Sequence, residues 1–79
     1  MVSINIPDTV FGYSVGFAET FLIQEKTLNG EIIQEYGLKK DGVQLGILSI
    51  IAIYEEDSTE EHINNVITEE FEILFNNLN

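Results

Sequence analysis

Two dipeptides, Asn29-Gly30 and Asp41-Gly42, constrain this chain more than any other feature in it. They divide the stretch FLIQEKTLNGEIIQEYGLKKDGVQLGILSIIAIY, from Phe21 to Tyr54, into three runs rich in Ile, Leu, Val and Tyr. Asn-Gly and Asp-Gly are favoured in two-residue hairpin loops, because both central residues there take positive φ. The stretch therefore predicts a three-stranded antiparallel meander with strands over 20–28, 31–40 and 43–54.

A two-residue loop also predicts register. If Leu28 faces Glu31, then Ile23 faces Tyr36 and Phe21 faces Leu38. If Lys40 faces Val43, then Leu38 faces Leu45, Tyr36 faces Ile47 and Ile32 faces Ile51. Strand side chains alternate between faces. One face then carries Phe21, Ile23, Ile32, Tyr36, Leu38, Leu45, Ile47, Ile51 and Ile53, interrupted by Glu25, Gln34 and Ser49. That is the expected core face. The other face is mostly polar on the first two strands, but Leu48, Ile50, Ala52 and Tyr54 form an apolar row on the third. A strand apolar on both faces is usually covered on both. The row is accordingly expected to pair with a second copy of the chain, with Tyr13 as a further contact. The alternative cover for it is the segment Phe11–Phe17.

Upstream, Val2, Ile4 and Ile6 alternate with polar residues and predict a strand over 2–6, closed by Pro7-Asp8. VFGYSVGF at 10–17 predicts another, with Phe11, Tyr13, Val15 and Phe17 on its bulky side and Gly12, Ser14 and Gly16 on a bare one. Downstream, Ser58 with Glu61 three residues on has the form of a capping box. A helix is expected over 59–78. At 100° per residue Ile63, Ile67, Phe71, Leu74, Phe75 and Leu78 fall within a stripe of about 120°, and Glu70 falls at its rim. The fold class expected is α+β: one small domain, an antiparallel meander of four to five strands with one C-terminal amphipathic helix packed on one face.

Charge narrows the function. Asp and Glu number 14 against 3 Lys and no Arg, a formal net charge of -11. Beyond Lys40 the only residue able to become cationic is His62, while eight acids lie between Glu55 and Glu72. Direct nucleic-acid binding is disfavoured, since phosphate contacts need Lys and Arg. Anionic membrane surfaces are disfavoured for the same reason. The natural partner is a basic protein surface. A chain of 79 residues without cysteine has no disulfide and no thiolate metal site to staple it, which leaves homo-oligomerisation as the common support for a small domain. The apolar run Leu45–Tyr54 is far short of the ~20 residues that span a bilayer. MVSINIPD lacks the basic start of a secretory signal, and a cytoplasmic location is expected.

No catalytic constellation stands out. His62 is the sole histidine, and a metal or catalytic role would require Glu61 or Glu69 beside it. Adjacent glutamates at 60–61 and 69–70 diverge by about 100° on a helix. No phosphate-cradling glycine loop is present. The reading is a non-enzymatic protein without cofactor or metal: an acidic inhibitor or adaptor that docks on a basic, nucleic-acid-binding surface of another protein. Nucleic-acid mimics that phages and mobile elements use against host defence have this composition. Its expected partner-binding residues are Glu55, Glu56, Asp57, Glu61, Glu69 and Glu72. The alternatives are a homo-oligomeric structural or chaperone-like protein using an apolar sheet face, and a small enzyme with its site across a subunit interface. Solubility alone is the plainer account of the charge.

Overall fold

The computed structural model describes residues 2–10 and 13–78, with the side chains of 8–10, 13–15, 46, 47 and 78 outside the described set. Tyr13, Ile47 and Leu78 are thus placed only through their backbone. Four strands, β1 (Ser3–Val10), β2 (Tyr13–Leu28), β3 (Glu31–Lys40) and β4 (Val43–Glu55), precede one helix, α1 (Glu60–Leu78). The strands form a single antiparallel sheet in the order β1-β2-β3-β4. The expected α+β architecture, a meander with one C-terminal helix packed on it, is what the chain adopts.

Both turns lie where the dipeptides place them. Asn29 and Gly30 have φ of 52° and 82°, and Asp41 and Gly42 have 54° and 80°. This is the left-handed pair of conformations that a two-residue hairpin loop requires. Leu28 pairs with Glu31, and Lys40 with Val43, as counted outward from the turns.

Farther from the turns the register changes. An extra residue at Ile23 makes Leu22, rather than Ile23, the partner of Tyr36, and Thr20 the partner of Leu38. On the other side, β4 pairs with β3 in two stretches: Lys39 faces Gln44, and then Gly37 faces Ser49. Three more residues lie on β4 than on β3 across that interval. Both insertions are odd in number, so each inverts the side-chain parity beyond it. Glu25 and Leu45, between turn and bulge, keep the expected side. Phe21, Ile23, Ile51 and Ile53 are moved off the core face, and Leu48, Ile50, Ala52 and Tyr54 are moved onto it.

The N-terminal strands also differ from expectation. Residues 13–17 of the expected strand 10–17 run on into 20–28 as one continuous strand, Val10 ends β1, Phe11 and Gly12 lie outside the described residues, and Pro7-Asp8 does not end β1 but lies in a register shift between Ile6 and Thr9. Pro is tolerated there because β1 is an edge strand and the irregularity needs no ladder bond from it. A straight 16-residue strand spans about 50 Å, longer than the 39 Å long axis of the molecule, so β2 bends. The bulge at Ile23 supplies a place to do so.

The helix packs on the face carrying Ile4, Ile6, Ala18, Leu38, Leu48, Ile50 and Ala52, and contributes Ile67, Phe71 and Phe75 to the buried cluster. Its closest backbone approaches are to β4 and β1, the two edges of the sheet. Ile63, Val66 and Leu74 pack on the margin of the cluster, and Glu70 is half-buried at the rim. Phe71 is fully buried, 6.1 Å from Phe75 between ring centroids. Burying a side chain of that size contributes about 1.5–3 kcal/mol. The helix starts one residue later than the capping-box pattern implies. Thr59, not Ser58, is the N-cap: its Oγ1 accepts the His62 N–H at 3.1 Å, and its carbonyl accepts the first helical bond from Ile63.

Candidate protein-binding surfaces

Three places on the molecule carry chemistry that could meet something else. The first is the acidic strip. Glu55, Glu56 and Asp57 are exposed in the turn between β4 and α1, where the Glu56 N–H donates to the Gly30 carbonyl at 3.0 Å and ties the turn to the β2–β3 hairpin. Glu61, Glu69 and Glu72 are exposed on α1. At 100° per residue Glu72 lies about 20° and Glu69 about 80° around the helix from Glu61; Glu69 lies opposite the stripe of Ile67, Phe71 and Phe75, while Glu61 and Glu72 border its Phe75 edge. Glu61 and Glu72 are about 16 Å apart along the axis. The acids therefore run from the helix entrance to beyond its third turn, with the neutral Asn65 between Glu61 and Glu69. His62 is exposed beside it, and no group of three metal-ligating side chains occurs among the described residues.

The second place is the row expected to receive another chain. Leu48, Ile50, Ala52 and Tyr54 are all buried within this chain, with Ala52 at 0% exposure. They lie under α1 and are core, not a self-association surface, because the odd insertion in β4 turned them toward the helix. The cover expected from a second copy, or from segment 11–17, comes from α1; Phe11 and Gly12 lie outside the described residues. Tyr54 also belongs to a polar cluster inside the sheet. Gln34 Oε1 accepts from Tyr54 at 2.6 Å and from Tyr36 at 2.7 Å. Burial pushes both phenols above their ordinary value. The nearby Glu25 carboxylate adds to that shift at Tyr36, and Tyr36 and then Glu25 add to it at Tyr54.

The third place is the sheet face opposite α1, whose Phe21, Ile23, Ile51 and Ile53 were expected in the core and whose Lys26, Ile33, Glu35, Gly37 and Lys39 were expected on the other, mostly polar face. Register and alternation put Phe17, Glu19, Phe21, Lys26, Ile33, Glu35, Gly37, Lys39, Ile51 and Ile53 there. Among the described residues nothing packs over this face. Phe17 is 70% exposed, Ile51 47% and Ile53 51%, with Ile23 and Leu28 also exposed. Gly37 lacks a side chain where the Phe21 ring and Ile23 fold across it; a Cβ there would meet Phe21 Cζ at 2.8 Å. Lys39 Nζ lies 5.5 Å from the centre of the same ring, within cation–π range. Gln24 donates to Glu35 across the strands at 2.9 Å. The signal that locates this face is the same alternation, read with one residue inserted in β2 and three in β4.

A groove between β1 and the second half of α1 is lined mainly by Ser3, Asn5, Pro7, Thr68, Glu72 and Asn76, with one carboxylate among its lining residues. No described helix is long and apolar enough to cross a membrane. No protein-family model matches the chain, and neither a curated protein nor a solved structure matches it.

Proposed function

We propose that this protein is a non-enzymatic binding module, an inhibitor or adaptor, that docks its acidic helix and helix entrance on a basic surface of another protein. The observation that carries the reading is the joint exposure of Glu55, Glu56, Asp57, Glu61, Glu69 and Glu72 at the helix entrance and along α1, in a chain with no Lys or Arg after position 40. Clustered like charge opposes the compact state through self-repulsion, and surfaces serving solubility alone more often mix the signs. The partner that relieves such a cluster is cationic, and a nucleic-acid-binding channel or groove is one such surface, because phosphate contacts need Lys and Arg. Steering by the strip makes association fast at low salt and weaker as salt rises.

Charge reversal tests it. Glu61→Lys, Glu69→Lys and Glu72→Lys together replace exposed side chains outside the buried stripe, so the fold should persist by circular dichroism. A pull-down from the native host with the wild-type protein should recover a basic protein that the triple variant fails to recover. Equal recovery by both, with the same salt dependence, would reduce the strip to a solvated surface.

A further inference from the structure

We infer that the open face of the sheet is a homodimer interface, in which two copies pack sheet against sheet with their strands antiparallel and their helices outermost. The surface itself selects this occupant. Four of the eight exposed large hydrophobic side chains, Phe17, Ile23, Ile51 and Ile53, lie on this face, and Leu28 adds a fifth at its end. Patches of this kind on a small domain mark interaction sites.

Charge distinguishes a second copy from another partner. Between the row Glu19–Lys39 and the row Lys26–Ile33–Ile53 the face carries two lysines and two glutamates, Glu19, Lys26, Glu35 and Lys39. With Glu31 and Glu55 in the end row beside Leu28 the face sums to -2, so -9 of the net charge of -11 belongs to the rest of the chain. Two molecules this acidic repel most through their other sides, and this weakly charged face is where they can meet. A cationic partner is drawn to the acidic strip instead.

The face is also self-complementary. Lys39 lies toward one end of β3, while Glu31, beside Glu55 in the same row, lies at the other. A two-fold axis running across the strands lays β3 on β3 in the reverse direction. It centres the row of Gln24, Glu35 and Ile51, so that the two Glu35 carboxylates, each held by its own Gln24 amide, flank the axis, and it brings Lys39 of each copy toward Glu31 of the other. This is an isologous contact, the kind a two-fold dimer requires. Sheets packed this way sit about 10 Å apart with interdigitating side chains, a layer that Phe21, Ile23, Ile33, Ile51 and Ile53 would fill.

The dimer has an electrostatic signature opposite to that of the acidic strip. Because two chains of charge -11 must approach, added salt screens repulsion and tightens the dimer, whereas binding of a basic partner weakens. Sedimentation equilibrium of the full chain at rising sodium chloride should show dimers whose affinity increases with salt. Ile51→Lys should weaken dimerisation at least tenfold although it lowers the net negative charge, and Ile53→Lys, at a second exposed position, should do the same. Lys39→Glu should weaken it, and adding Glu31→Lys should restore it. Reversal of Glu61, Glu69 and Glu72, on the far side of the molecule, should leave the dimer intact. A monomer at hundreds of micromolar in high salt would overturn the inference. So would Ile51→Lys and Ile53→Lys variants that are folded by circular dichroism and dimerise like wild type, or dimerisation that weakens with salt.

Discussion

The Tyr54 hydroxyl donates to Gln34 Oε1 across 2.6 Å, and both residues are buried on the helix-covered face of the sheet. Tyr36 donates to the same oxygen at 2.7 Å, so one amide carbonyl satisfies two phenols from neighbouring strands. Gln34→Leu removes the shared acceptor and leaves a buried hydroxyl without a partner. It should cost about 1–3 kcal/mol by urea unfolding. Adding Tyr36→Phe and Tyr54→Phe to Gln34→Leu removes the orphaned donors and should recover most of that loss. A triple variant no more stable than Gln34→Leu would show that packing, not the hydrogen bonds, is what Gln34 provides.

The same cluster sets a pH dependence. Burial first, and Glu25 after it, holds the Tyr36 phenol above its ordinary 10.0, and Tyr54 is raised likewise. Between the ordinary value and the raised ones the folded chain binds more protons than the unfolded chain, so stability falls as pH rises. Their contribution should be fully present below pH 10.0 and lost as pH climbs through the raised values. Phenolate absorbance from Tyr36 and Tyr54 should rise at higher pH than that of free tyrosine, and the variant Tyr36→Phe/Tyr54→Phe should lose this late rise and flatten the alkaline fall in Tm.

The Phe71 side chain is fully enclosed between α1 and the sheet. Phe71→Ala should cost about 3–5 kcal/mol, the range for truncating a buried aromatic. A domain this small has little stability in reserve, so the variant should be partly or wholly unfolded at room temperature by far-ultraviolet circular dichroism. An unchanged melting midpoint would mean that α1 does not pack on this face.

Thr59 caps α1 through His62 N–H, and Ser58 does not. Thr59→Ala should cost about 1 kcal/mol. Ser58→Ala should change stability by less than about 0.5 kcal/mol, as surface substitutions away from such features do. Thermal melts of the two variants side by side separate the assignments. The capping-box pattern pointed one residue too early because Ser58 and Thr59 are adjacent candidates. What selects between them is where the turn after β4, closed by the Ser58 N–H to the Glu55 carbonyl at 3.0 Å, releases the chain.

The acidic strip was legible without any coordinates. Its residues follow a turn and ride the polar side of a helix whose apolar stripe is explicit in the spacing of Ile67, Phe71 and Phe75. The structure leaves all six of those acids exposed. The open apolar face was not legible, because every residue on it had been assigned to the core or to a polar surface by counting outward from the turns.

What the sequence determined by itself were features with short-range causes. Positive φ at Asn29, Gly30, Asp41 and Gly42 follows from residues that tolerate it, and the helix follows from a period of 3.6 in apolar side chains. The pairing next to each turn follows from loop length. Tertiary structure decided which side of the sheet the helix covers. Strand side chains alternate with period two, so a single extra residue at Ile23, and three between Gln44 and Ser49, send everything beyond them to the opposite face. Those insertions answer to a bent β2 and to the docking of α1 on Leu48, Ile50 and Ala52. These contacts join residues far apart in the chain, and no local pattern of side chains encodes them.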